Sequence, residues 1–206
     1  MSPLLLSAFQ IVVLIYSVVL HELAHGLVAR SMGDRTAEDM GRLTLNPFKH
    51  LDPFGSLFLP MLSQLTLGFM FGYAKPVPYD PNNLSDRIYG PAKVALAGPM
   101  TNLALAGIAT IAIRTAGPVL GLAVVGLLGY IVWLNLILAI FNLMPIPPLD
   151  GHWLLMTFLP ARFHALKVAV YRYQWFLLAV FLFFVFPLLS PLIDDLFKLL
   201  TGTRIL

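Results

Sequence analysis

The chain has 206 residues, of which 59% are hydrophobic and 11% are charged, and its mean hydropathy is +0.84. A composition this apolar excludes an ordinary soluble domain and indicates a polytopic membrane protein. Such a protein is surrounded by the lipid bilayer, which is therefore an expected partner. The formal net charge of +3 comes from basic residues that are scattered through short connections and do not form one patch. We therefore expect these charges to lie in cytoplasmic loops, and we expect no nucleic-acid partner. The chain has no cysteine, and any metal must therefore be held by histidine and carboxylate side chains.

Long apolar segments predict how the chain crosses the membrane. A spanning helix needs about twenty predominantly apolar residues, and the segments without Asp, Glu, Lys or Arg are residues 3–20, 54–74, 94–113, 115–149 and 173–193. The first segment has neither the basic start nor the small-residue cleavage site of a secretory signal, so we expect it to be retained. Residues 34–52 mix charges with alternating apolar positions, which makes a small extended hairpin possible there. Prolines in residues 144–151 predict a break in the helix.

The distribution of Lys and Arg predicts that residues 54–73 do not cross the membrane. If this segment crossed, the 13 basic residues would divide almost equally between the two sides. If it dips in and returns, most of them lie on the cytoplasmic side, as the positive-inside rule requires, and the exceptions are Arg114, Lys198 and Arg204. We therefore predict an all-α polytopic membrane protein with four full transmembrane helices plus a re-entrant or surface segment, up to six helical segments in all. We expect a functional site toward the cytoplasmic face, at the cell membrane if the protein is prokaryotic.

Residues 21–25 read His-Glu-Leu-Ala-His inside an otherwise uncharged helix. Two histidines four positions apart on an α-helix lie roughly 40° apart in projection and about 6 Å apart along the axis, so both imidazoles can reach one cation. Glu22 follows His21 and can come alongside the water that such a cation activates, as a general base must. A metal-free cluster of paired polar groups is the alternative, and the cost of ionisable side chains at membrane depth makes the metal site the better interpretation.

A catalytic zinc ion normally takes three protein ligands and keeps a fourth position for water, so a third donor is needed beside His21 and His25. Asp150 is the best candidate, because its carboxylate lies in the proline-broken segment between apolar helices. His152 is the main competitor for the place of the third ligand. If it is not a ligand, it is expected to orient a neighbouring ligand. Other aspartates lie in polar connections and are more simply explained as solvated, namely Asp34, Asp52, Asp80 and Asp86.

Taken together, these residues resemble the site-2 protease family of intramembrane zinc metalloproteases. The resemblance rests on residues 21–25, on Ala-Gly-Pro-Met-Thr-Asn at 97–102, and on Phe-Asn-Leu-Met-Pro at 141–145 leading into Pro-Leu-Asp-Gly at 148–151, which follow the family's order. It implies a compact member without PDZ or CBS domains, a single domain over residues 1–206, that cleaves transmembrane protein substrates in regulated intramembrane proteolysis. It also implies one zinc ion with three ligands and a glutamate as catalytic base and acid, carried over onto His21, His25, Asp150 and Glu22.

The same resemblance favours contacts of Asn102 and Asn142 with the substrate or with the tetrahedral oxyanion, because preorganised amide donors in a low-dielectric site stabilise developing charge. The alternative is that these residues only join helices by hydrogen bonds. Two other classes of protein are alternatives: a metal transporter, which would need polar residues along a continuous path, and a scaffold, which would leave Glu22 without a function. Pairing of an unwound substrate with a strand edge in residues 34–52 is a further hypothesis.

Overall fold

The computed structural model describes residues 2–59, 61, 62, 65, 72–117 and 119–202. The main α-helices among these residues are, in chain order, α1 (Pro3–Ser31), α2 (Thr36–Asp39), α3 (Gly90–Ala116), α4 (Leu122–Asn142), α5 (Gly151–Phe158), α6 (His164–Arg172) and α7 (Gln174–Thr201), and Pro53–Phe58 add a π-helical turn between α2 and α3. Four of them, α1, α3, α4 and α7, are long and apolar enough to cross a membrane. No strand occurs in the described part of the chain. The prediction of an all-α polytopic membrane protein is confirmed.

Helix α1 carries the histidine motif near one end of a span. Ser2 caps its start, since its hydroxyl oxygen accepts the N–H of Leu5 at 3.3 Å, and Pro3 occupies the first helical position, where its missing N–H costs nothing. The helix ends at Ser31, and the chain then turns away at Gly33, whose φ of 103° favours glycine. At 1.5 Å per residue His21 lies about 27 Å from the helix start, close to the far edge of a hydrocarbon layer about 30 Å thick.

Helix α3 packs against both α1 and α4 and so forms the centre of the molecule. The contact with α4 and α7 is built on a buried cluster of mostly small or β-branched side chains, namely Ala106, Ala109, Ile113, Val132, Leu136 and Phe197. Small residues let helices approach closely, which matters in lipid because the surrounding hydrocarbon supplies no hydrophobic drive for helix association. This close packing brings polar residues of α1, α3 and α4 into mutual contact.

Residues 34–52 form α2 and a 3₁₀ turn over Pro47–Lys49, so the small extended hairpin considered for this stretch is wrong. Asp34 is 1% exposed, and the expectation that it is solvated is also wrong. Its carboxylate accepts the backbone N–H of Thr36 at 3.2 Å and the Thr36 hydroxyl at 2.5 Å, which turns the chain into a helix. Asn46 starts the 3₁₀ turn in the same way, by accepting the N–H of Phe48 at 3.1 Å. Such local side-chain bonds compete with strand pairing, and the proposed strand edge is not formed.

The two ends of the segment 54–73 meet. The N–H of Tyr73 donates to the carbonyl oxygen of Gly55 at 3.0 Å, and the hydroxyl of Ser56 donates to the carbonyl oxygen of Tyr73 at 2.9 Å. A segment whose ends are bonded to each other cannot cross the membrane once, which agrees with the predicted re-entrant or surface segment. Part of it lies outside the described residues, namely 60, 63, 64 and 66–71.

The proline-rich break after α4 carries Asp150 back toward α1. The helix stops at Asn142, the chain passes through turns over residues 143–150, and α5 begins at Gly151. A Cβ at Gly151 would collide with the carbonyl oxygen of Leu143, so only glycine allows so tight a return. Helices α5 and α6 then meet at a bend of 118°, which keeps them from forming one straight span.

Candidate metal centre

Two histidines of α1 and one aspartate of the proline-rich break converge on one point. Oδ2 of Asp150 lies 3.0 Å from Nε2 of His21 and 3.3 Å from Nε2 of His25. The two imidazole rings stand edge to face with their centroids 4.7 Å apart, as the spacing of four residues along α1 predicts. Among the described residues this is the one group of His, Cys, Asp and Glu whose ligand atoms all lie close enough to hold a metal ion, within 4.8 Å of one another.

The outer nitrogen of each imidazole is bonded to an oxygen that can only accept. Nδ1 of His21 donates to Oδ1 of Asn102 at 2.5 Å, and Nδ1 of His25 donates to the carbonyl oxygen of Val94 at 2.7 Å. With the proton on Nδ1, a neutral imidazole has its lone pair on Nε2, the atom that faces Asp150. Helix α3 supplies both acceptors, so it fixes the ring orientation and the tautomer of both histidines.

The space between these three side chains fits a cation. Two Nε2 lone pairs and a carboxylate oxygen point at one another, and Nε2 of the buried His25 has no hydrogen-bond partner among the described residues. Gly98 of α3 borders the same space, since a Cβ there would lie 2.5 Å from Nε2 of both His21 and His25. Two imidazoles and one carboxylate are a known ligand set for catalytic zinc, which leaves a fourth position open.

Glu22 lies beside this group and is held by a neighbouring backbone. Its Oε2 accepts the N–H of Val77 at 2.8 Å, from the extended stretch that precedes α3. Glu22 directly follows His21 on α1, so its backbone is adjacent to that of one of the three residues. The geometry therefore joins a possible metal site to a half-buried carboxylate, the two parts that metal-assisted hydrolysis requires.

Asn102 lies behind His21, between α1 and α4, and its predicted contact with substrate stays a prediction. It is fully buried at 0% exposure, and its oxygen accepts from His21 while its amide nitrogen donates to Oδ1 of Asn135 at 2.8 Å and, at 3.5 Å, to the carbonyl oxygen of Ser17. Both ends of the amide are thus engaged within the protein, which favours a role in orienting His21 over a contact with substrate. Asn135 in turn donates to the hydroxyl of Ser17 at 3.0 Å.

Sequence reasoning missed the partners of Asn102. Asn135 is an amide side chain within the apolar run of α4, and Ser17 lies one helical turn before His21 on the same face of α1. Polar residues at these positions in spanning helices are a usable signal, because an amide facing lipid would be costly. The network joins α1, α3 and α4 directly behind the metal-facing imidazole.

Asn142 and His152 make hydrogen bonds within their own segments. Asn142 is half-buried at the end of α4, and its amide nitrogen donates within the helix to the carbonyl oxygen of Leu138 at 2.9 Å, so its predicted contact with substrate stays a prediction. Nδ1 of the buried His152 donates to the carbonyl oxygen of Leu149 at 2.7 Å, and its ring packs on Trp153. Of the two competitors for the third ligand, the structure brings Asp150, and not His152, to the two imidazoles.

Two buried histidines and a half-buried aspartate meet among apolar spanning helices, next to a glutamate, and this is the makeup expected of a membrane metalloprotease. The sequence matches the family described as Peptidase family M50 over residues 9–119 and 110–187. The chain belongs to this family, the site-2 proteases. It is therefore a zinc metallopeptidase of site-2 protease type, and zinc is its cofactor.

The relatives of this chain carry matching names. It is 35% identical to "Putative zinc metalloprotease YwhC" of Bacillus subtilis, over 97% of this chain and 94% of that protein. It is 33% identical to "Putative zinc metalloprotease Rip2" of Mycolicibacterium smegmatis, over 84% of this chain and 65% of that protein. It is also 33% identical to "Putative zinc metalloprotease MJ0611" of Methanocaldococcus jannaschii, over 69% of this chain and 70% of that protein. No solved structure matched the chain.

Proposed function

We propose that this protein hydrolyses peptide bonds within or near the transmembrane segments of other membrane proteins, as in regulated intramembrane proteolysis, and that residues 1–206 act as one domain. The supporting observation is the convergence of His21, His25 and Asp150 on one space between α1, α3 and the proline-rich break. These three residues are the proposed zinc ligands, and Glu22 is the proposed catalytic base and acid. A peptide that reaches a site at this depth is a membrane-embedded one, which is why transmembrane proteins are the proposed substrates.

The proposed chemistry divides between the metal and the chain. A bound zinc ion supplies a Lewis acid that lowers the pKa of a water molecule to about 7 and polarises the scissile carbonyl group. Glu22 would hold the proton that the attacking water gives up as its oxygen bonds to the carbonyl carbon. As the C–N bond breaks, Glu22 returns the proton to the leaving nitrogen, so that its carboxylate is restored. Asn102 and Val94 keep the imidazoles in one tautomer throughout.

The substrate must present an unwound backbone, because a helix keeps its carbonyl groups in its own hydrogen bonds. Asn142 is the proposed substrate contact, since it lies at the end of α4 and leads into the break that carries Asp150. We further propose the cell membrane as the location, with the site toward the cytoplasmic face. The excess of Lys and Arg in connections on that side supports this orientation.

The function is tested with purified protein and a test substrate, defined as a tagged single-span membrane protein with a Gly-Pro pair in the middle of its span. Glu22→Gln should keep zinc and lower cleavage of the test substrate by at least about 10²-fold, because it removes the proton acceptor. Glu38→Gln is the matched control: Glu38 is the other glutamate of the chain and lies at the surface in ion pairs with Arg30 and Arg35. It should keep both zinc and cleavage.

Cleavage by Glu22→Gln at the wild-type rate would refute the proposed role of Glu22. A wild-type protein that transports zinc without cleaving the test substrate would favour the transporter class instead.

A further inference from the structure

One backbone N–H of an extended stretch is aimed at the carboxylate of Glu22. The stretch comprises residues 75–78, with the sequence Lys-Pro-Val-Pro, and is named the strap below. Its Val77 N–H donates to Oε2 of Glu22 at 2.8 Å. Pro76 and Pro78 have no N–H, so the sequence leaves Val77 as the one donor in the Pro-Val-Pro run. Proline also stiffens the backbone on both sides of that donor, which limits the directions in which the N–H can point.

The strap is itself clamped by groups from the connection after α1. The N–H of Lys75 donates to the carbonyl oxygen of His50 at 2.9 Å. Nη2 of Arg42 donates to the carbonyl oxygen of Lys75 at 2.9 Å and to that of Pro76 at 3.2 Å. Arg42 is only 5% exposed, and burying a guanidinium is costly unless its donors are used. Nη2 meets this need through the two strap carbonyl groups, while Nε of Arg42 has no hydrogen-bond partner among the described residues.

Gly26 allows the strap to lie directly on α1. It follows Glu22 by four residues and so lies on the same face of the helix, one turn further along. A Cβ at Gly26 would come within 2.5 Å of Cδ2 of Leu43 and 2.8 Å of Cγ1 of Val77. The side chains of Val77 and Leu43 thus fill the space that the Cβ of any other residue at position 26 would need. The absence of a side chain at position 26 sets the distance between Glu22 and the Val77 N–H.

We propose that the strap positions the catalytic carboxylate: the Val77 N–H holds one oxygen of Glu22, and Arg42 holds the strap. The inference rests on the role of Glu22 in the proposed function. A general base must lie within hydrogen-bond reach of the proton it takes, and a glutamate with free torsions samples many positions that fail this. Fixing Oε2 restricts those torsions, and Oε1 would be the oxygen left to take the proton. Arg42 and Val77 are therefore positioning residues, and neither has to touch the substrate.

The first test compares two substitutions at one position. Val77→Pro removes the N–H, and Val77→Ala removes only side-chain atoms and keeps it. Both should retain zinc. We expect kcat on the test substrate to fall by about tenfold or more in Val77→Pro, with KM little changed, because displacement of a catalytic group by about 1 Å can cost up to 10²-fold. The fall in kcat should be much smaller in Val77→Ala. Equal kcat values for these two variants would overturn the proposal.

A second pair decides the matter if Val77→Pro yields no folded, zinc-containing protein. Arg42→Ala should lower kcat while zinc is retained, and Arg42→Lys should recover part of the loss, because an ammonium group still donates to the strap carbonyls. Loss of zinc in parallel with kcat, or no recovery in Arg42→Lys, would reduce Arg42 to a structural role and overturn the proposal. Failure of the proposed function has a separate signature: the wild type would not cleave the test substrate, or Glu22→Gln would cleave it at the wild-type rate.

Discussion

Gly98 makes room for a metal by having no side chain. A Cβ at this position of α3 would lie 2.5 Å from Nε2 of both His21 and His25. The imidazoles cannot move aside cheaply, because their Nδ1 atoms are bonded to Asn102 and to the carbonyl oxygen of Val94. At the scale of single residues, the site thus depends on one missing side chain as much as on the ligands themselves.

Gly98→Ala should therefore weaken zinc binding by at least about tenfold, the lower end of what is lost when the surroundings of metal ligands are disturbed. Gly107→Ala is the matched control, because it lies on the same helix and a Cβ there meets nothing within 4 Å. Zinc affinity is measured by competition with a chelator on the purified proteins. Equal affinity in the two variants would show that the space beside Gly98 does not hold the ion.

At the scale of elements, Asp34 ties the connection after α1 to the connection before α3. Beyond its bonds to Thr36, it accepts the N–H of Asp80 at 2.9 Å and the amide of Asn83 at 3.1 Å. Burial on its own raises the pKa of Asp34, but the hydrogen bonds from Thr36, Asn83 and Asp80 outweigh it and hold the pKa below its ordinary value of 3.8. The ionised carboxylate therefore stabilises the folded state.

The sign of this shift predicts how stability changes with acid. Because the folded-state pKa is lowered, the contribution of Asp34 is fully present above pH 3.8 and is lost as the pH falls below it. Asp34→Asn should be less stable than the wild type by about 1–3 kcal/mol at neutral pH, and this difference should shrink in acid. Thermal unfolding in detergent across pH measures it, with the exposed Asp39→Asn as control. A difference independent of pH down to complete acid unfolding would contradict the prediction.

At the scale of the whole molecule, the returning segment decides which connections share a side of the membrane. Because Tyr73 is bonded to Gly55, residues 34–52 and 75–89 emerge on the same side. The loop between α3 and α4 must then lie on the opposite side, since α3 spans the membrane. This arrangement puts the strap, the connection after α1 and the metal site at one face.

The absence of cysteine makes this topology directly testable. Ser85→Cys and Gly121→Cys place single thiols in the two connections, at positions whose residues are exposed. In sealed vesicles of native orientation, a membrane-impermeant maleimide should label Gly121→Cys at once and Ser85→Cys only after permeabilisation. Labelling of both from the same side would refute the four-span arrangement, and the reverse pattern would refute the cytoplasmic placement of the site.

Features that depend on local sequence could be predicted well. The spans follow from the length of apolar runs, and the approach of His21 and His25 follows from their spacing of four residues on a helix. Asp150 could be singled out because a carboxylate between apolar helices needs a partner. The hairpin considered for residues 34–52 failed because alternation of apolar positions was outweighed by the local bonds of Asp34 and Asn46, which favour turns.

The sequence by itself determined that the chain spans a membrane, where it breaks, and which residue types could hold a metal, because these properties belong to short stretches of chain. Only the tertiary structure decided that Asn102 bonds His21, that Gly98 borders the ligand space, and that Val77 faces Glu22. The physical reason is that spanning helices are apolar on all sides, so their sequence does not mark which face meets a neighbour. Those contacts depend on how each helix is rotated and how closely it packs, which the chain settles only when it is folded.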